Sequence, residues 1–391
     1  MEATTLSKAG RKTLSPIGLD IGQTGARAVQ LRRSGDRWSL AAAQHWPLRR
    51  TEDRAGGVAG LEDRLGRALR QKDFAGRAIV VGLSQPDLEL HALELAETPD
   101  SQGKHDQLDA AARWEIERLS RFEEGAIETA HWRLPKGRGT RTSALGVAAP
   151  KETISGIWEL CRKAGGDCRR IDALPCALSR AGAVLRPAES HEVWGVLDLG
   201  ARAVRLVLCV NGIPVVARSL HSGGAKWTEK IAELLKVSPE SAELHKCDHG
   251  IRTGTTQPRG SGPPAAGVSP QPPGDNGPLA ELAGMIFAAL SSDLDRVTRE
   301  VERSYEYVLQ CYPGRKAADL ILAGGSAALR NLDTYLADRL GIPVLRAEKY
   351  AEQSGSLLRV DGAASQLRPA AGGLAACLGA VGLAIDPESG P

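Results

Sequence analysis

Two segments nearly half a chain apart carry the same equipment for holding a phosphate chain. The first reads Asp20-Ile21-Gly22-Gln23-Thr24-Gly25-Ala26-Arg27, the second Asp198-Leu199-Gly200-Ala201-Arg202-Ala203. In each, an aspartate closes an apolar strand, a tight turn follows, and a second apolar strand begins. Gly22 and Gly25 tolerate backbone angles that other residues resist, so the N–H groups of the turn can converge on an anion. Thr24 adds a hydroxyl, and Arg27 or Arg202 can add charge. Asp20 and Asp198 are placed to hold a hydrated Mg²⁺, which keeps most of its waters and takes one or two carboxylates. Asp-x-Gly is also an ordinary turn, and a third copy, Asp248-His249-Gly250, has no strand in front of it. The shared strand–turn–strand context separates the first two from that one, and two such turns could grip one ligand between them.

A third turn, Gly324-Gly325-Ser326, follows the apolar run at 318–323. It offers no side chain to block a ligand, so a flat ring can lie against the backbone. That suits the adenosine end of a nucleotide.

The elements that must position these turns follow from periodicity and breakers. After the first hairpin, the pattern predicts a helix at about 60–72 and a buried strand at 77–84. Residues 85–135 change character: an alternating segment at 88–95, a helix at about 107–119 and an extended piece at 127–134 read as a small α/β subdomain inserted into a first domain. The run 143–149 predicts the return of the main sheet, with a helix at 151–164. In the second half, a strand at 212–220 and a helix at 226–235 follow the hairpin. Ser238-Pro239-Glu240 opens another helix with proline at its first position. A long helix at 279–310, a strand at 318–323, a helix at 329–340 and a strand at 342–345 complete the half. Alternating strands and helices argue for two α/β domains around a cleft.

These signals divide the chain into a disordered tail (1–15), a first domain (16–187, with the insertion at about 85–135) and a second domain (188–391). Within the second, residues 223–310 form an outer subdomain. Its stretch 250–278 is Gly, Pro, Ser, Thr and Gln with hardly an apolar side chain, and reads as a mobile loop. The Gly- and Ala-rich run 369–385 falls short of the roughly 20 residues that span a bilayer and reads as a close-packed core helix.

Composition narrows the function. At 391 residues with 42% apolar content, two or three domains with a real core are expected. The net charge of +3 is interspersed, with no basic face to suit nucleic acid. Seven cysteines without a CxxC pair read as reduced thiols rather than a disulfide framework. His245-Lys246-Cys247-Asp248-His249 has metal-ligand residue types but no second half-site, so a metal centre is not expected there. The first 15 residues are polar and are neither signal peptide nor anchor.

The order phosphate hairpin, phosphate hairpin, adenosine turn resembles the actin-like ATPase fold shared by actin, sugar kinases and heat-shock chaperones. Finer features resemble one branch, the PilM-type type IV pilus assembly proteins. The stretch 212–232, with Arg218, Gly223, Gly224 and Thr228, is similar to that family's "G…R.i..GG..lT..ia". Ala242-Glu243-Leu244-His245-Lys246 is similar to its "AE.lK", and residues 320–344 to its "iiLtGGga.l.gl..yl...lgipv". The insertion stands where PilM and the division protein FtsA carry their 1C module. The resemblance extends from Ile17 to Asp386.

It implies an actin-like two-domain α/β fold, a duplicated βββαβα core with an inserted 1C-type subdomain and a nucleotide cleft. It implies ATP and Mg²⁺ as cofactors. The phosphates would lie on Asp20, Gly22, Gln23, Thr24, Gly25, Arg27, Asp198, Gly200, Ala201 and Arg202. The adenosine would lie on Gly223, Gly224, Glu243, Lys246, Gly324, Gly325 and Ser326. The implied partner is the short cytoplasmic peptide of a PilN-like inner-membrane protein, which would recruit a cytoplasmic protein to the inner face of that membrane; self-association stays open. The chain departs from the family in having Arg27 where lysine is common, and Ala201, Arg202 and Ala203 where small hydroxyl residues usually line the second turn. With no residue evidently placed to activate water, at most slow ATPase activity is expected. Two alternatives use the same fold: a sugar kinase, for which Asp172 is a candidate general base, and an FtsA-like filament-forming scaffold, which would carry a C-terminal amphipathic helix.

Overall fold

The computed structural model describes residues 13–48, 60–95, 105–123, 125–138, 143–186, 191–251, 278–360 and 373–385. The first half contributes β1 (Thr13–Ile21), β2 (Gly25–Ser34), β3 (Arg37–Pro47), α1 (Leu61–Arg70), β4 (Ala78–Leu83), β5 (Glu89–Leu93), α2 (His105–Leu119), β6 (Ile127–Arg133), β7 (Ala144–Pro150), α3 (Lys151–Lys163), β8 (Asp167–Ala173) and α4 (Leu174–Leu185). The second contributes β9 (Glu192–Leu199), β10 (Val204–Val210), β11 (Ile213–Leu220), α5 (Gly224–Leu235), α6 (Pro239–Asp248), α7 (Pro278–Cys311), β12 (Lys316–Ala323), a 3₁₀ turn (Gly325–Ala328), α8 (Leu332–Leu340), β13 (Val344–Arg346), α9 (Ala347–Ala351), β14 (Leu358–Arg359) and α10 (Gly373–Ala384).

The two halves repeat one strand order. β3-β2-β1-β4-β8 in the first sheet corresponds to β11-β10-β9-β12-β13 in the second. In each, an antiparallel hairpin pair is joined by a parallel strand on the other side of the first strand. Within the hairpins, Asp20 stands opposite Arg27 and Asp198 opposite Arg205. The halves also exchange elements: β14, from the second half, pairs parallel with β3 at the edge of the first sheet.

Strand alternation decides what each face of β1 does. Ile17 and Leu19 enter a core with Leu61 and Leu65 of α1 and Cys161 of α3. Gly18 and Asp20, on the opposite face, meet α10. That helix and α4 belong to one continuous core with the second sheet and with Val29 and Leu31 of β2. The small residues of α10 have a steric cause. A Cβ on Gly18 would lie 2.0 Å from the Ala380 carbonyl oxygen, and one on Gly382 would lie 1.8 Å from that of Ala177. The core-helix reading of this segment therefore corresponds to backbones in contact, and α10 is buried from Leu374 to Ala384. No helix among the described residues is long and apolar enough to cross a membrane.

Two expectations need correction. The strand at 143–149 does not resume the main sheet: β7 is the centre of a separate three-stranded sheet, ordered β5-β7-β6. It is covered on both sides, with Ala144 and Ala148 against Leu93, Ile116 and Ile127, and Val147 and Ala149 against Leu83 and Leu88. A strand buried on both faces has the same apolar pattern in any sheet, so its partners could not be read from its own residues. Secondly, β1 begins at Thr13, with Thr13 opposite Arg33, so residues 13–15 are strand rather than tail. The rest of that tail, and the 250–278 loop apart from its ends, lie outside the described residues.

The contact between α10 and α4 gives a paired test. Gly382→Ala is expected to lower the stability by about 2 kcal/mol through overpacking. Gly284→Ala, on α7 with open space where its Cβ would be, is expected to raise it by about 0.5 kcal/mol. Urea midpoints of the two variants check both signs.

Candidate functional site

The two hairpin turns close in the same way. The Gly22 N–H donates to the Gly25 carbonyl and the Gly200 N–H to the Ala203 carbonyl, each at 3.0 Å. Neither Gly22 nor Gly25 has a left-handed φ, contrary to the expectation that these glycines supply unusual backbone angles. Gly25 makes room for the next strand instead: a Cβ there would lie 2.4 Å from His45 Nε2 and 3.1 Å from the Trp46 carbonyl oxygen. Thr24 is exposed at the tip, Gln23 partly so, and the Thr24 carbonyl accepts the Leu48 N–H at 3.0 Å.

The Gly324-Gly325-Ser326 turn joins both hairpins. Gly324 has φ +85°, and a Cβ there would lie 2.6 Å from Asp198 Oδ1 and 2.5 Å from the Leu199 carbonyl. The position excludes other residues on both counts. Its N–H donates to the Ala375 carbonyl of α10 at 2.8 Å. Gly325 is exposed, and Arg27 Nη2, at 3.7 Å, is the nearest atom to its absent Cβ. Arg27 of the first hairpin thus reaches the glycine turn of the second half.

Among the residues expected to border adenosine, Gly223 and Gly224 carry the second hairpin. The N–H groups of Gly224 and Ala225, opening α5, donate to the Gly200 and Ala201 carbonyls at 2.9 and 2.8 Å. A Cβ on Gly223 would lie 2.4 Å from the Ala201 carbonyl oxygen, and one on Gly224 would overlap Ser326 Oγ. Lys246 is 1% exposed. Its ammonium donates to Thr228 Oγ1 at 2.9 Å and the Gly224 carbonyl at 3.3 Å, and pairs with Glu243 at 2.6 Å. Glu243 and Lys246 are i, i+3 neighbours on α6, so both reach the same end of α5. Ser238 caps that helix by accepting the Ser241 N–H.

Charge is distributed unequally between the hairpins. Arg205 pairs with Asp198 at 2.9 Å and donates to Ser84 Oγ, on the other half, at 3.2 Å. Arg27 donates no hydrogen bond to any described residue, and its Nε is buried without a partner. A buried guanidinium donor without an acceptor is costly unless something else satisfies it. Burial raises the Asp20 carboxyl above its ordinary value. Arg27 opposes the rise, Asp198 adds to it, and Arg205 opposes it. Asp20 keeps a narrow contact with solvent, yet protein surrounds it: its Oδ2 lies 2.9 Å from the absent Cβ of Gly379. Burial, reinforced by Arg27, pulls His45 below the usual imidazole range.

Two carboxylates, an unsatisfied arginine and an open glycine turn fit a magnesium–phosphate group, for which Mg²⁺ takes few protein ligands. Other candidates are not brought there. Arg202 is exposed, and the position matching Arg27 is occupied by Arg205. Arg205, Ser84 and His45 were not singled out from sequence. The equal register of the two hairpins is the signal that could have found Arg205. Asp172 is taken by Arg180, which also donates to the Gly382 carbonyl at 3.1 Å, and by Arg170 at 3.7 Å. It is poorly placed to receive a substrate proton. His245 and His249 approach with ring centroids 5.4 Å apart, and no group of three metal-ligating side chains occurs among the described residues. All seven cysteines are free.

The family profile described as "Type IV pilus assembly protein PilM" matches residues 18–255, more than half of the chain. Among solved structures, a "PilM-PilN type IV pilus biogenesis complex" is 24% identical over 95% of this chain and 97% of that one, with a TM-score of 0.69. The fold is accordingly the actin-like one. More distant similarities are to the ethanolamine utilization protein EutJ from Carboxydothermus hydrogenoformans, 12% identical over 95% of this chain and 89% of that one (TM-score 0.48), and to MreB5 of Spiroplasma citri, 14% identical over 87% and 92% (TM-score 0.44).

The buried carboxylate predicts a pH signature for the ligand-free protein. A carboxyl whose value rises on folding favours the folded state while protonated, below about pH 4, and that contribution is lost as the pH rises through its elevated value. Asp20→Asn should therefore raise the urea midpoint at pH 7 and leave it nearly unchanged at pH 3. A variant less stable than the parent at pH 7 would contradict the burial argument.

Proposed function

The chain belongs to the PilM family of type IV pilus assembly proteins, and from that premise we propose that it is a nucleotide-binding scaffold rather than a fast enzyme. ATP with Mg²⁺ occupies the cleft between the two halves, and its main role is to fix their relative position. The observation that carries this reading is the meeting of Arg27 with the Gly325 turn, above the Asp20 and Asp198 carboxylates. Arg27 and the Gly22–Gly25 turn hold phosphate oxygens. The two aspartates would hold the hydrated metal, which would neutralise phosphate charge. Glu243 and Lys246, at the start of α5, border the ribose and base. The expected turnover is slow, because Asp198 is engaged by Arg205 and Asp20 is packed against α10. The domain division given by sequence, with its outer subdomain and with residues 13–15 joined to the first domain, is part of the same proposal.

The scaffold needs a partner surface, and a groove beside the three-stranded sheet supports one. A cavity of about 460 Å³ is bordered by β5, Arg121 and the end of β11, and continues into one of about 250 Å³ between β5 and Tyr307 and Tyr312 of the α7 end. Both β5 and β11 are edge strands with one unpaired side, and Leu90, Ala92, Val215 and Ala217 supply apolar walls. An extended peptide fits such a place by strand addition. The occupant proposed is the cytoplasmic N-terminal peptide of a PilN-like inner-membrane protein, which would draw a cytoplasmic protein to the inner face of the membrane. The matched structure is itself a PilM–PilN complex.

Binding of ATP and release of phosphate, each measured with and without that peptide, test the reading. Expected are ATP binding, negligible phosphate release and capture of the peptide; rapid phosphorylation of a sugar would establish the kinase alternative instead. Asp20→Ala and Gly325→Trp should each abolish nucleotide binding with an unchanged circular dichroism spectrum. Leu90→Glu should weaken the peptide at least tenfold, about 1.4 kcal/mol.

A further inference from the structure

Arg205 pairs with Asp198 of the second hairpin and lines a cavity that adjoins the partner groove. Its Nη1 pairs with Asp198 Oδ2 at 2.9 Å, its Nη2 donates to Ser84 Oγ at 3.2 Å, and its Nε is buried with no partner. A Cβ on Gly200, in the second phosphate turn, would lie 3.1 Å from Nη1. Ser84 follows β4, and its carbonyl accepts the Asp87 N–H at 3.1 Å, closing the turn that leads into β5. The Pro86 carbonyl of that turn accepts from Arg121 at the groove rim. Ser84, Leu88 and Leu90 line a small cavity together with Arg205, at the inner end of the larger groove. One guanidinium therefore ties the phosphate turn of the second half to the groove wall of the first.

The geometry of that guanidinium has a consequence. Nε and Nη2 form the side-on fork of an arginine, the arrangement that holds two oxygens of one phosphate. Here one prong is unsatisfied and the other is held by Ser84. A phosphate taking both prongs competes with the serine hydroxyl for Nη2.

We propose that Arg205 is a positioning residue that sets nucleotide and peptide against each other: phosphate in the second turn draws the guanidinium off Ser84 and loosens the 84–88 turn, whereas a peptide bridging β5 and β11 holds that turn in place. The inference rests on the functional reading above. It adds a direction, mutual weakening, and a residue that transmits it. Because the coupling is one of free energies, the factor by which nucleotide weakens peptide binding must equal the factor by which peptide weakens nucleotide binding.

Isothermal titration of the full chain with the synthetic N-terminal peptide of the PilN-like protein, with and without saturating AMP-PNP and Mg²⁺, reads that factor. An increase of about tenfold in peptide Kd is expected in the parent protein. Ser84→Ala and Arg205→Lys should both bring the factor close to one, since a lysine point charge cannot span Asp198, Ser84 and a phosphate together. In the peptide-free protein, AMP-PNP and Mg²⁺ should speed amide exchange over residues 84–90. Two binding events that are independent or mutually strengthening, or a coupling factor retained in Ser84→Ala, would overturn the inference alone. Absence of either binding event in the parent protein would overturn the functional reading and this inference with it.

Discussion

Backbone contact between α10 and its neighbours is the constraint on which the rest of the structure depends. Gly18 and Gly382 leave no room for a side chain between α10 and the carbonyls it touches. That closeness places the first turn of α10 directly below the cleft. The Ala375 carbonyl there receives the Gly324 N–H, and Gly379 gives Asp20 its space. A helix delivered by the end of the chain thus supports a turn of the second half and an aspartate of the first. Bulkier residues on α10 would push apart the turn and the strand that it supports, which is why packing and candidate site are difficult to separate here.

Above that floor, the two hairpins share a backbone but differ electrostatically. Arg27 and Arg205 both have a buried Nε without a partner, but Arg205 also has Asp198 and Ser84 as partners, whereas Arg27 donates to no described residue and directs its Nη2 at the Gly325 turn. Desolvated charge without a full set of partners is unfavourable. The raised Asp20 carboxyl reports the same tension from the acidic side. In the proposed function, a magnesium nucleotide relieves both, which suits a ligand that holds two halves together. The Asp172 carboxylate, enclosed by arginines, gives the kinase alternative little support.

Much of this was legible along the chain because local chemistry dictates it. The Asp-x-Gly turns, the helix start at Ser238-Pro239 and the Gly/Ala helix at the end each follow from short-range rules, and each forms an element of the expected type. Family resemblance added the placement of Glu243 and Lys246, which come together with Gly224 and Ser326. Glycine roles were harder. Gly22 and Gly25 look like conformational glycines, but Gly25 instead leaves space for His45, a residue 20 positions on in the next strand. Arg202 drew attention by adjacency to the turn, although register assigns its place to Arg205.

By itself, the sequence determined the two hairpin turns and the Gly324-Gly325 turn, because each depends on residues within a few positions of one another, and their order along the chain carried the resemblance to the actin-like class. Tertiary structure decided three other things. It decided that β7 pairs with β5 and β6, since a strand apolar on both faces carries no mark of its sheet. It left Arg27 unsatisfied while giving Arg205 a partner on the opposite half. And it aligned two strand edges along a groove that ends at that same arginine. Each of these depends on groups distant in the chain being brought within hydrogen-bonding reach, a property of the packed arrangement that no single segment contains.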